Sequence, residues 1–127
     1  MINNKGQTLV IFAVFLPLLL IIMATVIDVS LMYYEKNKLD NINLMVIEYG
    51  IDHLEENDLE IKLKELIKEN DKEIKMDNIT INDNKITIII SKSTKSTFGK
   101  IIGIENYKIT SKYIGIINKE KKEIKKG

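Results

Sequence analysis

The stretch Leu9 to Ile27, LVIFAVFLPLLLIIMATVI, decides how the rest of the chain is read. Its 19 residues carry no charge; Lys5-Gly6-Gln7-Thr8 precedes it and Asp28 closes it. A helix rises about 1.5 Å per residue, so a run of this length suffices for the ~30 Å hydrocarbon core of a bilayer. The expectation is a retained membrane span. A secretory signal peptide also follows a short basic start, but its apolar region is about 7–15 residues and ends in a small-residue cleavage site. Here the run is longer and passes into Asp28-Val29-Ser30-Leu31. Pro17 lacks an amide hydrogen, so a local kink is expected, of a kind transmembrane helices tolerate. Asp28, the first ionisable group past the run, reads as a boundary marker at headgroup level. Tyr33 and Tyr34, one to two turns further on, suit an aromatic anchor at the interface.

Nothing stops the helix there, because residues 28–56 contain no proline and only one glycine, Gly50. Leu31, Tyr34, Leu39, Ile42, Val46 and Tyr49 recur at spacings of mostly three and four, one face of a helix. Glu35, Lys36, Lys38, Asp40, Asn43 and Glu48 fall on the polar face. The pattern predicts a single rod of about 45 to 50 residues, on the order of 70 Å, ending near Asn57. Asn57-Asp58 reads as an N-cap for a second, shorter helix carrying Leu59, Leu63, Leu66 and Ile67 and ending at Asn70-Asp71. After Lys75 the period changes to two. Asn78 to Ile81 and Lys85 to Ile90 alternate apolar and polar residues around Asn82-Asp83-Asn84, a hairpin signature. A polar run from Ser91 to Thr97 leads to the apolar knot Phe98-Gly99-Lys100-Ile101-Ile102-Gly103-Ile104, and Tyr107 to Ile116 reads as the last strand. The expected fold class is α+β: a long N-terminal transmembrane helix continuing into a small domain with a second short helix and an antiparallel sheet of about three strands. The division is 1–8 as a cytoplasmic head, 9–27 as the transmembrane helix, 28–117 as an extracytoplasmic domain and 118–127 as a charged flexible tail.

Beyond the first 27 residues, about 100 of the 127 remain, enough for one small domain. The formal charge of +1 hides an asymmetry: residues 28–83 hold 15 acids against 7 lysines, net −8, and residues 84–127 hold 3 acids against 11 lysines, net +8. Such segregation serves attraction to a partner, or two faces that neutralise each other in the folded chain; the second is expected. Every basic residue is lysine. Without arginine the usual bidentate reader of phosphates and bases is missing, so no nucleic-acid partner is expected. The chain has no cysteine, which excludes disulfides, thiolate metal sites and cysteine nucleophiles.

No convergent set of catalytic groups emerges. Gly99-Lys100 is followed by Ile101 rather than Ser or Thr, and Thr94 stands where a phosphate-binding loop needs its first glycine. His53, the only histidine, neighbours Asp52, Glu55 and Glu56, but such a group is more often the wet side of a helix than a metal site. Ser91, Ser93 and Ser96 have no histidine near them in sequence. Asn78-Ile79-Thr80 matches a glycosylation acceptor, a pattern common by chance. No catalytic residue, cofactor or metal is expected.

Lys5-Gly6-Gln7, the apolar run with Pro17, Asp28, and the amphipathic Leu39-Asp40-Asn41 segment ending in Gly50 together resemble the N-terminal module of TadE/TadG-like proteins of tight-adherence (Flp-type) pilus assembly. The later segment Phe98-Gly99-Lys100-Ile101-Ile102-Gly103, before the strand Tyr107 to Tyr113, is similar to the family's Phe-x-x-hydrophobic-hydrophobic-Gly segment. The resemblance spans roughly residues 5 to 116. Where the family has an alanine-rich helix after Leu-Gln-Asn, this chain reads Ile42-Asn43-Leu44-Met45-Val46-Ile47, so its packing neighbours must differ.

The resemblance implies a pilin-like soluble part, with the head inside and residues 28–127 outside a cell membrane crossed once. It implies Gly6 and Gln7 as a processing site, and contacts with other pilus-assembly or pilin-like subunits through the N-terminal helix. A mature chain starting at Gln7 would carry Ile11 at its fifth position, where related pilins commonly carry a glutamate that pairs with a neighbour's amine. An uncleaved, membrane-anchored accessory or pseudopilin-like component is therefore expected rather than a filament subunit, with membrane lipid as the other partner. The alternative is a membrane-tethered binding module whose basic second half, Lys85 to Lys126, docks an anionic cell-wall or lipid surface.

Overall fold

The computed structural model describes residues 4–119 and 121–127. One helix, α1, runs unbroken from Asn4 to Asp52, 49 residues, and passes through Pro17 without interruption. The short helix α2 spans Leu59–Asn70. The strands β1 (Lys75–Ile81), β2 (Lys85–Lys95), β3 (Asn106–Asn118) and β4 (Lys121–Lys126) form an antiparallel meander in the order β1-β2-β3-β4. A 3₁₀ turn, Gly99–Ile102, interrupts the crossing from β2 to β3. The architecture is the expected α+β.

The long pairing of β2 with β3, from Lys85 opposite Ile116 to Lys95 opposite Asn106, forms the centre of the sheet. β2 alternates from Lys85 to Ile90, so Ile86, Ile88 and Ile90 all point to one face and are fully buried. Against that face lie Leu39, Ile42, Val46, Ile47 and Ile51 of α1 and Leu59, Leu63 and Ile67 of α2, making a single core. Among the described residues no helix covers the outer face, as suits an antiparallel sheet with alternating residues. The first half of α1 takes no part in this packing: between Leu9 and Ile27 every leucine, isoleucine, valine and phenylalanine is exposed.

Three local expectations are corrected. The sheet has four strands rather than three, because Lys121–Lys126, expected within a flexible tail, pairs with β3 from Tyr113–Lys126 to Asn118–Lys121. Its sequence is too charged to signal a strand, yet Ile124 packs on the core while Lys122 reaches Asp52 and Lys126 reaches Asp40 at 2.9 Å on α1. Lysines along an outermost strand also discourage pairing with another chain. Secondly, the buried stripe of α1 is rotated from the expected one. Leu31 and Tyr34 are exposed, whereas Asp40 and Asn43, read as polar-face residues, are buried. They are buried because the sheet supplies partners: Asn43 Nδ2 donates to the carbonyls of Ile88 at 3.1 Å and Ser111 at 3.2 Å, and Asp40 accepts from Lys36 at 3.0 Å and from Lys126. Thirdly, the Asp58 side chain makes no capping hydrogen bond; its backbone carbonyl starts α2 by accepting from the Lys62 amide.

The segregated charges meet across the fold. Lys92 of β2 lies 2.6 Å from Asp71 at the end of α2 and 3.2 Å from Glu35 of α1. With the pairs from β4, this joins acidic helices to a basic sheet, the internal neutralisation the charge pattern suggested.

Candidate functional site

Asp28 is not simply the end of the apolar run. Its carboxylate is buried and gathers the loop after β2, some 70 residues away in sequence. Oδ1 accepts the Thr97 amide at 2.9 Å, Oδ2 accepts the Gly99 amide at 2.7 Å, and the Phe98 amide lies 3.1 Å from both oxygens. The Tyr107 hydroxyl, at the start of β3, lies 3.3 Å from Oδ2. Three successive amides converging on one ionised carboxylate form charge-assisted hydrogen bonds, roughly twice as strong as neutral ones. They offset the cost of removing the charge from water.

The loop can wrap this closely because of its two glycines. A Cβ at Gly99 would stand 2.6 Å from the Tyr107 hydroxyl and 3.2 Å from the Ile104 carbonyl, so any side chain there pushes apart the groups that meet at Asp28. Gly103 ends the 3₁₀ turn at φ +92°, a left-handed conformation that residues with a Cβ rarely adopt. The turn is closed by the amides of Ile101, Gly103 and Ile104, which donate to the carbonyls of Phe98, Lys100 and Gly99. The Ser96 hydroxyl donates to the Ile104 carbonyl from the other side.

The folding of this loop turns its apolar side chains outward. Ile101 and Ile102 are each 78% exposed, far more than any core residue. A cleft of about 240 Å³ separates them from α1, floored by Ile21, Ala24 and Thr25 and closed at one end by Asp28. The apolar half of α1 and the apolar loop therefore lie side by side.

Charge clusters elsewhere are structural. Burial acts to raise the Asp71 carboxyl, but the Lys92 ammonium and the Glu73 amide outweigh it and hold the group below the ordinary carboxylate value. Lys92 in turn is raised, chiefly by its bond to Asp71. Asp40 shows the same balance: burial pushes it up, and Ser111, Lys126 and Lys36 bring it below its usual value.

The other residues singled out by sequence are scattered. Gly6 and Gln7 lie in the exposed first turns of α1, more than five helical turns from Asp28, with Pro17 between them. His53 stacks on Tyr49 with ring centres 4.0 Å apart and donates from Nδ1 to the Tyr49 carbonyl at 2.8 Å. Among the described residues, no three His, Asp or Glu side chains are grouped to hold a metal ion. Sequence reasoning missed the meeting of Asp28 with residues 97–99. Both ends of that contact lay in motifs already noticed, but no periodicity relates positions so far apart.

Comparison with known proteins gives one match. The family model described as "Putative Flp pilus-assembly TadE/G-like" matches residues 6–42, which take in the apolar half of α1, Asp28 and the start of the packed half. The chain resembles that family over this stretch. No curated protein and no solved structure matches the chain.

Proposed function

We propose that this chain is a membrane-anchored structural component of a pilus-assembly system, resembling TadE/TadG-like pseudopilins. One observation carries the reading: residues 9–27, inside the stretch that the family model matches, form an apolar helical half whose leucine, isoleucine, valine and phenylalanine side chains are all exposed. A helix this apolar left in water would be unfavourable by tens of kcal/mol, at roughly 25 cal/mol per Å² of apolar surface, whereas lipid covers it. The helix crosses the membrane once, with Lys5 inside and the α+β domain outside. Lys5 opposes Lys36 and Lys38 across the span, so orientation rests on the resemblance rather than on charge. The role is structural rather than catalytic: the apolar half contacts lipid and packs against other pilus-assembly or pilin-like subunits.

Within that reading the chain stays uncleaved after Gly6, because a mature amine at Gln7 would find Ile11 rather than a carboxylate as its neighbour's fifth residue. Alkaline extraction of native membranes should leave the protein in the pellet, and the chain there should still carry residues on the N-terminal side of Gln7. Recovery in the supernatant, or a start near Asp28, would overturn the anchor; a start at Gln7 would indicate prepilin-type processing. Deleting the chain from its cell should reduce assembled surface pili, and unchanged pili would sink the assembly role. The docking of a basic surface to an anionic polymer is the weaker reading, since Lys92, Lys122 and Lys126 are engaged by carboxylates of the same chain.

A further inference from the structure

We infer that the loop Phe98 to Ile104 is a second membrane contact, a wedge that dips into the lipid leaflet beside α1, with Asp28 as the group that holds it there. The inference rests on the proposed anchoring of α1, and it adds a lipid-binding element in the part of the chain read as a soluble domain.

Position is the first argument. The cleft between loop and helix is floored by Ile21, Ala24 and Thr25. These residues lie inside the apolar run that ends at Ile27, and Ile21 is six positions before its end, a depth of about 9 Å along the axis. Side chains facing Ile21 across a narrow cleft share its level in the bilayer. Interfacial elements typically bury their apolar face about 5–10 Å into the boundary between headgroups and acyl chains. The loop therefore reaches lipid if α1 spans it, without any movement of the domain.

Side-chain chemistry is the second. Among the described residues Ile101 and Ile102 are the most exposed large apolar ones, at 78% each, and Phe98 and Ile104 are exposed beside them. The only charged member of the loop, Lys100, is exposed, and its flexible stem lets the ammonium lie at the level of lipid phosphates while its neighbours go deeper.

Backbone satisfaction is the third argument, and it explains the clamp. Irregular backbone is excluded from hydrocarbon unless its polar groups are bonded internally. Five amides of the loop, and that of Thr97 just before it, are bonded: Thr97, Phe98 and Gly99 to the Asp28 carboxylate, and Ile101, Gly103 and Ile104 to carbonyls of the turn. In water, solvent could satisfy these three successive amides without a buried carboxylate. A loop that enters the headgroup region needs one, and the same amides shield Asp28 from the apolar surroundings.

The chain contains no tryptophan, so a single introduced indole reports its own surroundings. The full chain would be reconstituted into phosphatidylcholine vesicles with bromines at shallow or deep positions on the acyl chains, as Ile102→Trp, Ile101→Trp, Leu19→Trp and Thr80→Trp variants. Leu19 lies within the apolar run and Thr80 on the exposed side of β1. The expected result is fluorescence loss at Ile102→Trp and Ile101→Trp, stronger with shallow than with deep bromines. Leu19→Trp should be quenched most by deep bromines and Thr80→Trp by neither. Quenching of Leu19→Trp with both loop variants behaving like Thr80→Trp would overturn the wedge and leave the anchor intact. Blue-shifted but unquenched emission from the loop variants would also overturn it, assigning the apolar loop to a protein partner instead. Absence of quenching at Leu19→Trp would remove the anchor, and the wedge with it.

Discussion

Asp28 ties distant parts of the chain together, because one carboxylate replaces the water of three amides and a hydroxyl. Replacing it by asparagine keeps the size but removes the charge and one acceptor oxygen. Amide hydrogen exchange at Thr97, Phe98 and Gly99 in Asp28→Asn should accelerate about five- to ten-fold, the worth of an ordinary net hydrogen bond, while amides at the centre of β2 keep their protection. Equal protection in both proteins would mean that the clamp contributes nothing to loop order. Gly99→Ala tests the same place through shape: its methyl group cannot fit beside the Tyr107 hydroxyl without moving it, and crowding of this kind costs about 1–3 kcal/mol. Thermal unfolding of the full chain in detergent reads this directly, and an unshifted transition would show that Tyr107 yields freely. At this scale the sequence was only half legible. Asp28 stood out as the first charge after a long apolar run, and its neighbours explained that position well enough to hide a second role. What it binds depends on how the chain returns after the hairpin, which no local signal records.

At the scale of elements, α1 was the most legible because its two halves obey simple rules: an uncharged run long enough to span, then a stripe at helical spacing. Its packed face was less so. Asp40 and Asn43 were assigned to water by polarity, yet each lies where a strand presents a complementary group, and burial followed the partner rather than the residue type. Asn43→Leu would leave two strand carbonyls facing an apolar side chain, with an expected loss of about 1–3 kcal/mol in chemical denaturation. No loss would mean that the ladder alone satisfies those carbonyls. Lys92 offers a sharper test, since it bridges Asp71 and Glu35, and removing one member of a poorly hydrated cluster leaves the others undercompensated. Lys92→Met should cost about 2–4 kcal/mol, reduced from the range of fully buried pairs by partial access to water. β4 was invisible because lysine and glutamate are poor strand formers; tertiary context overrides that preference here, with an edge of β3 open and acids on the helix below.

Across the whole molecule, the two charge-segregated halves fold onto one another and set the pH range of stability. The carboxyls of Asp40 and Asp71 are held below their ordinary value of 3.8, so their contribution is present above that pH and is lost as pH falls through the lower folded value. Lys92 and Lys126 are held above 10.5, so theirs is complete below that pH and is lost as pH rises through the higher folded value. Unfolding temperature in detergent should form a plateau between these limits, and Lys92→Met should flatten the acid limb as Asp71 loses its partner; an unchanged acid limb would locate the titration elsewhere. Ending the chain after Asn118 removes β4, exposes the edge of β3 and strips Asp40 and Asp52 of their sheet lysines. That truncation should unfold several degrees lower and associate in light scattering. A monodisperse protein of unchanged stability would show β4 to be dispensable.

The continuity of α1 has a mechanical consequence. Two of the points that fasten the helix to the folded domain, Asn43 among the strand carbonyls and Asp28 on the loop amides, lie 15 residues or about 22 Å apart along its axis. A shaft bolted at two points has no swivel. Under the proposed anchoring, any roll or tilt imposed on its apolar end by a neighbouring helix turns the sheet through the same angle, so the folded head would act as a pointer for torque generated inside the bilayer.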